Sequence, residues 1–443
     1  MTLLRVFNIC DKVLRSGAFL ENELNAELKN DKTDADFITA LCYGVIDKSF
    51  EFDYIIEKLC DVSPKKVLKT ILKIGFYQLK YMDVAKYAAV DNTVELCKAV
   101  KKDNAGFINA VLKKFIDYKL VLPNEHYAKE WTESSVQTGN SCEDGDGILV
   151  DLNDRDNRAS VACINAALCS LSVKYSYPVW IVEKYLKYYK TDAEKILSFK
   201  ESNLEHVRII CDKKEFIDLL KKGNILFSDS ALINGVYVDY KKLLNSDIPK
   251  NLYIGQNLGS MMIVDAVDLK QNDVVLDACA APGGKSLYMA AKCNKVLACD
   301  VSIQKIEKIQ ENAKRLNIKN VETKISDATV LQNLGMFDKV LCDVPCSGLG
   351  ITYSKPDIKL HRTPADIKVI TDIQREILQT CKNYVKENGF LMYSTCTLLK
   401  EENEDIVNRF LENNKNFEKR AEKTILPHIY NTEGFYYCIL QKR

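Results

Sequence analysis

The chain has 443 residues, enough for two or three domains of ordinary size. Hydrophobic residues make up 47% and charged residues 28% of it, which is typical of globular proteins in aqueous solution. No apolar run reaches the roughly 18 residues that a membrane helix needs, and the first residues lack the basic and apolar regions of a signal peptide. The sequence therefore predicts a cytoplasmic protein without a membrane partner.

The 16 cysteines are spread over the whole chain without a CxxC pair, and there are only 4 histidines. In a reducing compartment such cysteines remain thiols, and most of them are small core residues. A zinc cluster needs cysteine and histidine ligands at closer spacing than this. We predict no metal site.

Residues 1–120 are predicted to form an all-α domain. Six segments carry apolar residues at three-to-four spacing, the period of an amphipathic helix. These segments are 6–14, 35–46, 52–59, 66–79, 89–100 and 105–115.

The same domain is basic, although the net charge of the whole chain is only +1. The segment from residue 63 to residue 119 contains 12 lysines but only five acidic residues. Such a cluster is either a solvated helical surface or a face that contacts a polyanion such as RNA, and the pattern leaves both open. The lysines are Lys65, Lys66, Lys69, Lys73, Lys80, Lys86, Lys98, Lys101, Lys102, Lys113, Lys114 and Lys119.

Residues 121–172 are predicted to be an acidic linker, because acidic residues accumulate among Ser, Gly and Asn without apolar periodicity. Residues 173–258 then predict a small α+β domain of the ferredoxin or RRM kind. It has helices over 178–189 and 193–201, a strand over 206–212, a helix ending at Gly223, and a strand region over 225–239.

Residues 259–443 alternate apolar strands with amphipathic helices, which indicates a parallel sheet covered on both faces. Two predicted helices cover 302–317 and 367–388, and the final segment 434–442 is predicted to add an antiparallel edge hairpin. The predicted strands are 274–280, 295–300, 321–327, 339–346 and 389–396.

The loop after the first of these strands is rich in small residues. Ligands bind to such sheets beyond the carboxyl ends of the strands, and small residues let the backbone approach a ligand closely. The loop lacks the glycine spacing of a P-loop and of a dinucleotide fingerprint. We therefore predict a cradle for the methionine part of S-adenosyl-L-methionine. Its candidate residues are Cys279, Ala280, Ala281, Pro282, Gly283, Gly284 and Lys285.

Two aspartates follow the next two predicted strands. Asp300 is placed to bind the ribose hydroxyls of the cofactor, and Asp327 is placed to reach the adenine amino group. Each of them alone is more often a helix cap. Acids at successive strand ends beside a small-residue loop favour nucleoside binding.

The fourth and fifth strands end near cysteines, Cys346 in a Pro-Cys loop and Cys396 in a Thr-Cys loop. Adjacent strand ends bring the two thiols toward one pocket. A thiolate that adds to carbon-6 of cytosine makes carbon-5 nucleophilic enough to accept a methyl group. We expect Asp343 to contact the ring edge at nitrogen-3 and Lys285 to assist electrostatically. Spacing alone does not say which cysteine attacks.

These residues resemble the Nop/Sun family of RNA cytosine-carbon-5 methyltransferases. The resemblance is carried by DACAAPGGKS at 277–286, Asp300, Asp327, DVPCSGLG at 343–350 and YSTCTLLKEENE at 393–404, while FINAVLKKF at 107–115 resembles a NusB-like RNA-binding domain. It implies a class I, Rossmann-like methyltransferase domain, S-adenosyl-L-methionine as cofactor, and small-subunit (16S) ribosomal RNA as partner of a monomeric enzyme. It also implies cofactor contacts from residues 279–285, Asp300, Asp327 and Asp343. Cys396 would be the nucleophile and Cys346 would aid product release.

The sequence departs from the family pattern at a few positions. Tyr353 and Ser354 stand where basic residues are usual, Asn257 follows Gln256 where aspartate is usual, and Arg208 lacks its usual asparagine two residues later. These changes concern RNA contacts and target identity rather than the thiol chemistry.

Three rival functions remain. The chain could be an RNA-binding assembly or antitermination factor with a silent methyltransferase domain, could methylate another RNA, or could methylate a protein or small molecule. The retained Asp343, Cys346 and Cys396 argue against a silent domain, and only the cytosine reaction needs both thiols.

Overall fold

The computed structural model describes residues 2–29, 31–122, 155–200 and 202–443. The acidic stretch at 138–147 lies outside the described residues. The chain forms two compact units, Met1–Ser198 with Ser354–His361, and Phe199–Tyr353 with Arg362–Arg443. The boundaries predicted from the sequence divide the chain more finely, and those finer boundaries stay a prediction.

The first unit is helical, as predicted. Its core is built from residues at helical spacing, such as Ile71 and Phe76, whose side chains have no exposed surface. The Phe76 ring stacks on Phe115 at a centroid distance of 4.1 Å. The helices are α1 Thr2–Ser16, α2 Leu20–Leu28, α3 Ala35–Asp47, α4 Ser49–Leu59, α5 Lys66–Tyr81, α6 Lys86–Lys101, α7 Ala105–Asp117, α8 Arg155–Tyr175, α9 Val179–Tyr189 and α10 Ala193–Leu197.

Two of these helices differ from the prediction. Helix α2 was not predicted, because its sequence LENELNAEL buries only Leu20 and Leu24 and lacks a continuous apolar face. Helix α8 covers the last third of the segment predicted as a linker. Its alanines favour helix, and it packs against α4, so it can be helical without a strongly apolar sequence.

One lysine of the basic stretch does not belong to an outer surface. Lys73 is only 4% exposed, and its ammonium group contacts Asp53 at 2.8 Å. Burial lowers the pKa of Lys73, and Asp53 opposes that effect. Lys73 therefore belongs neither to a solvated surface nor to a face that contacts a polyanion, the two interpretations of the basic stretch, because α5 is buried on this side.

Residues 354–361 leave the second unit and return to the first. The carboxylate of Asp357 accepts the backbone N–H of Leu20 at the start of α2, at 3.1 Å. Lys359 is 1% exposed and contacts Asp47 at 2.7 Å. Its ammonium group also lies 4.4 Å from the ring centre of Tyr177. This segment, which includes the helical turn Ile358–His361, is part of the helical unit's core.

The second unit begins with the predicted small α+β region. Four antiparallel strands have the order β2-β3-β1-β4, and Phe216 and Leu220 of its first helix are fully buried. Gly223 ends that helix, as expected. The elements are β1 Glu205–Ile209, α11 Lys213–Lys222, β2 Phe227–Asp229, β3 Gly235–Val238, α12 Tyr240–Leu244 and β4 Tyr253–Gly255.

A seven-stranded sheet follows, with the order β10-β11-β9-β8-β5-β6-β7. Strands β5 to β9 pair in parallel, and the antiparallel hairpin β10–β11 closes one edge. The strand order changes direction between β5 and β8, which is where α/β sheets of this kind bind ligands. The elements are α13 Leu258–Ala266, β5 Val274–Asp277, α14 Gly284–Ala290, β6 Lys295–Asp300, α15 Ile303–Arg315, β7 Val321–Ile325, β8 Phe337–Asp343, α16 Pro364–Cys381, β9 Val385–Thr395, α17 Glu404–Asn413, β10 Phe417–Ile425 and β11 Phe435–Lys442.

This architecture is the predicted one, a Rossmann-like sheet preceded by a small sheet and a helical domain. Cys293, Cys299 and Cys342 are at most 5% exposed and are thus examples of the small core cysteines expected from the sequence. In the parts of the chain that the structure describes, no helix is both long and apolar enough to span a membrane.

Candidate active site

The two cysteine loops meet because β8 and β9 are parallel neighbours that end at the same level. Asp343 lies opposite Ser394 in the register of the two strands. The next backbone N–H, that of Val344, donates to the carbonyl of Ser394 at 3.1 Å. The Pro-Cys and Thr-Cys loops therefore leave the sheet side by side.

Their sulfur atoms are in contact. The Sγ atoms of Cys346 and Cys396 are 3.1 Å apart, and the backbone N–H of Cys396 donates to the Cys346 sulfur at 3.3 Å. The hydrogen bond with Cys396 and burial both raise the pKa of Cys346 well above its ordinary value. Cys346 is therefore held as a neutral thiol that can donate to the sulfur of Cys396.

A glycine that we did not single out makes this contact possible. The N–H of Gly350 donates to the carbonyl of Cys396 at 3.0 Å, and its own carbonyl accepts from Gly434 at 2.8 Å. A Cβ at position 350 would lie 2.1 Å from the Gly434 oxygen. The backbone segments of Gly350, Cys396 and Gly434 approach so closely that no side chain fits at position 350. No local sequence pattern predicts this approach.

Asp343 and Lys285 form an ion pair beside the thiols. The Lys285 ammonium donates to Oδ2 of Asp343 at 2.7 Å, and the Ser394 hydroxyl donates to Oδ1 at 2.7 Å. Burial works against the charge of Lys285, but Asp343 outweighs it and raises the lysine's pKa. Electrostatic attraction from Cys396 acts in the same direction. The site thus keeps a fixed positive charge close to the Cys396 sulfur.

The small-residue loop is shaped by Asp300 at the end of β6. Its carboxylate accepts the N–H groups of Ala281 and Ser302, each at 3.3 Å. Gly283 has a φ of +101°, a conformation that favours glycine, and a Cβ there would lie 3.2 Å from Ile309. The Asp300 carboxylate and the positive φ of Gly283 thus fix the conformation of this loop.

Asp277 ends β5 and is the first residue of the motif DACAAPGGKS, but the sequence alone does not predict it as a site residue. It is 1% exposed, and its Oδ2 accepts from the Ser286 hydroxyl at 2.6 Å. Burial raises its pKa to about 7, with the serine hydrogen bond opposing. Its Oδ1 finds no hydrogen-bond partner among the described residues. A buried, partly unsatisfied carboxyl beside a side-chain-free loop fits a ligand with donor groups, as the predicted cofactor has.

Asp327 follows the end of β7 and is exposed. Its Oδ1 accepts both the N–H and the hydroxyl of Thr329, at 2.9 and 2.7 Å, and these bonds lower its pKa. The carboxylate is thus ionised and held in a turn. Among the described residues, no cluster of three or more His, Cys, Asp or Glu side chains is arranged to hold a metal ion.

Comparison with known proteins bears on both ends of the chain. A family described as 16S rRNA methyltransferase RsmB/F matches residues 264–441, and the NusB family matches residues 3–117. The probable ribosomal RNA small subunit methyltransferase B of Bacillus subtilis is 28% identical, over 92% of this chain and 90% of that protein. The ribosomal RNA small subunit methyltransferase B of Yersinia enterocolitica is 27% identical, over 93% and 91%.

Two solved structures share the fold. The protein PH0851 superposes with a TM-score of 0.75 at 20% identity, covering 99% of each chain. NSun6 from Pyrococcus horikoshii, solved with SFG, has a TM-score of 0.53 at 23% identity, covering 60% of this chain and 98% of that one. With both family matches in agreement with relatives that align over 92–93% of the chain, this protein is an S-adenosylmethionine-dependent 16S rRNA methyltransferase whose residues 264–441 belong to the RsmB/F family and whose residues 3–117 belong to the NusB family.

Proposed function

We propose that this enzyme, acting in the cytoplasm, methylates carbon-5 of a cytosine in 16S rRNA through a covalent cysteine adduct. The observation that carries the proposal is the 3.1 Å contact between Cys346 and Cys396, beside the Lys285–Asp343 pair. Methylation of an amine or a hydroxyl needs no thiol. A pair of thiols next to a fixed charge fits addition to a pyrimidine ring.

The first step is attack by the Cys396 sulfur on carbon-6, which forms an Sγ–C6 bond. Electrostatic attraction between Lys285 and Cys396 places a positive charge beside the attacking sulfur. The C5=C6 double bond opens in this step, and carbon-5 then takes the methyl group, leaving the sulfur of the methyl donor as a neutral thioether. A base removes the carbon-5 proton, the C5=C6 bond re-forms and the Sγ–C6 bond breaks. Cys346, held as a neutral thiol, assists this release. The target base has to leave its stack to reach the thiols, which favours a single-stranded or loop cytosine.

Asp343 is proposed to contact the cytosine edge at nitrogen-3 and the amino group. Ser394 and Lys285 each occupy one of its oxygens, so the carboxyl group cannot rotate freely. A preorganised group of this kind needs little rearrangement during the reaction. Its contact with Lys285 also joins the base-binding group to the thiol site.

Residues 279–285, Asp300, Asp327 and Asp343 are proposed to hold S-adenosyl-L-methionine, with Asp277 as an addition. Bound there, the cofactor supplies an electrophilic methyl group. Asp300 keeps the loop open through Ala281 and can accept from ribose hydroxyls with its remaining lone pairs. Asp277 offers its unpartnered oxygen.

Bisulfite mapping of 16S rRNA tests the reaction and finds the target. We expect one or a few cytosines to resist conversion in cells that have this gene and to convert in cells that lack it. Purified enzyme with S-adenosyl-L-methionine should restore the resistance on rRNA from the deletion strain. A conversion pattern that is identical in both strains would rule out the proposed activity on this RNA.

The helical unit is proposed to grip RNA through a basic cluster of Lys65, Lys66, Lys69 and Lys114. Lys69 and Lys114 both act on the Cys60 thiol, so their charges lie close together. Lys114 also donates to the carbonyl of Leu59 at 3.5 Å, beside the turn that leads into Lys65. The cluster leaves out Lys73, which is buried.

Replacing the four lysines of the basic cluster by glutamine should weaken RNA binding and its dependence on salt. Each lost phosphate contact removes about 0.7 from the slope of log K against log salt on single-stranded RNA, so the full change is about 3. Filter binding across a salt series measures this slope. The control replaces four exposed lysines of the second unit, Lys221, Lys222, Lys308 and Lys314. Equal changes in both variants would argue against a specific basic cluster.

A further inference from the structure

Two neighbouring polar residues, Glu402 and Asn403, lie behind the cysteine loops with no exposed surface. They join a short helical turn, Lys400–Glu402, to α17. Burying a carboxylate is costly unless hydrogen bonds compensate for the lost water. The contacts of this pair therefore indicate what it stabilises.

Glu402 holds the residues on both sides of Cys346. Its Oε2 accepts the backbone N–H of Ser347 at 2.8 Å and the side-chain amide of Gln374 at 3.0 Å. The same amide nitrogen of Gln374 donates to the carbonyl of Pro345 at 3.0 Å. The backbone before and after Cys346 is thus tied to one buried carboxylate.

Asn403 does the same for Cys396. Its Oδ1 accepts the hydroxyl of Thr395 at 2.6 Å, and its Nδ2 donates to the carbonyl of Thr397 at 3.0 Å. The two loops are also joined directly, because the Ser347 hydroxyl donates to that of Thr397 at 2.9 Å. Each cysteine is therefore flanked by residues that bind one member of the pair.

We propose that Glu402 and Asn403 are positioning residues that set the placement of the two thiols, Glu402 acting on Cys346 and Asn403 acting on Cys396. This inference rests on the proposed covalent mechanism. Glu402 bonds to the backbone N–H of Ser347, and Asn403 bonds to the hydroxyl of Thr395 and the carbonyl of Thr397, so each acts through the residues beside a cysteine. A displacement of about 1 Å at a reacting group lowers the rate by about a hundredfold, so such a link matters for turnover.

Glu402 has an electrostatic effect in the same direction. After the hydrogen bond with Cys396 and burial, the Glu402 carboxylate contributes to the raised pKa of Cys346. A negative group behind Cys346 favours its neutral thiol. The positive charge of Lys285 interacts instead with Cys396, so the two thiols lie in different electrostatic surroundings.

The test uses Glu402→Gln and Asn403→Asp in the full-length enzyme. Glutamine removes the charge behind Cys346, and aspartate sets an oxygen against the Thr397 carbonyl. Glu412→Gln and Asn413→Asp, at the far end of the helix α17 that follows the pair, are matched controls because both side chains are exposed. Asn413 likewise donates to a backbone carbonyl, that of Arg409, at 2.8 Å.

We expect both site variants to lose about ten- to a hundredfold in kcat, with the dissociation constants for RNA and for S-adenosyl-L-methionine within about twofold of the wild type. The two should differ in the intermediate. Glu402→Gln should accumulate a denaturant-resistant protein–RNA adduct, because release is impaired, and Asn403→Asp should not, because addition is impaired. Both controls should behave like the wild type.

A second pair of variants guards against loss of folding. Gln374→Met and Thr395→Val remove the same links from the other side while keeping shape, and should reproduce the two patterns. Wild-type kcat in all four variants with an intact fold, or the same adduct level in both types, would overturn the inference. If Cys346→Ala and Cys396→Ala themselves show no adduct chemistry, the proposed function fails instead, so the two failures are distinguishable.

Discussion

Replacing Cys396 by alanine is expected to lower methyl transfer to 16S rRNA by about three orders of magnitude or more, the size typical of a lost catalytic nucleophile. Without this sulfur, no bond to carbon-6 forms, and carbon-5 remains a poor nucleophile. The assay follows a labelled methyl group from S-adenosyl-L-methionine into RNA. Binding of RNA and of the cofactor should change little, because the substitution removes one half-buried atom.

Cys211→Ala is the control for this variant. Cys211 is also half-buried, but it packs in the small four-stranded region of the second unit. We expect this variant to keep wild-type activity. Substantial methylation by Cys396→Ala, at more than a few per cent of the wild-type rate, would contradict a nucleophilic role for Cys396.

Replacing Cys346 by alanine is expected to trap the enzyme on its RNA. Addition by Cys396 and methyl transfer still occur, but breakage of the Sγ–C6 bond becomes slow. A protein–RNA adduct should therefore survive denaturing gel electrophoresis at close to one RNA per enzyme, while steady turnover falls at least about tenfold. The adduct should be absent from the double variant that also lacks Cys396.

The opposite pattern is informative. An adduct in Cys396→Ala and none in Cys346→Ala would show that the roles of the two thiols are reversed. Full activity in both variants would exclude covalent catalysis. The structure favours Cys396 as the nucleophile and Cys346 as the thiol that aids release. The positive charge of Lys285 interacts with Cys396, whereas the Glu402 carboxylate lies behind Cys346.

Local patterns in the sequence predict most of the elements. The period of the apolar residues predicts strand β6 at its observed bounds. It also predicts helix α15, which packs against β7, with both ends within two residues of those observed. The pattern is weaker where tertiary packing supplies the stability. Helix α2 has only two buried leucines, and α8 owes its place to α4, so neither appears as a clear amphipathic helix.

The sequence predicts those residues of the candidate site that lie at or just after the ends of parallel strands. Cys346, Cys396 and Asp343 stand out because parallel strands end at one edge of the sheet, and that rule needs only the order of the strands. Asp277, Gly350 and Glu402 lie within the quoted motifs, but no local pattern marks them as site residues. The importance of Gly350 and Glu402 lies in contacts with residues far away in the chain, such as Glu402 with Ser347, whereas that of Asp277 lies in its burial beside Ser286.

The sequence alone determined most of the elements, the strand ends that carry reactive groups, and, through its resemblance to a family, the proposed reaction. These properties depend on neighbours a few residues apart or on the chemistry of single side chains. Tertiary structure alone decided that the sulfurs touch, that Lys73 and Lys359 are buried, and that Glu402 holds the loop of Cys346. Those facts depend on packing between segments separated by tens to hundreds of residues, and no local period or propensity encodes such distances.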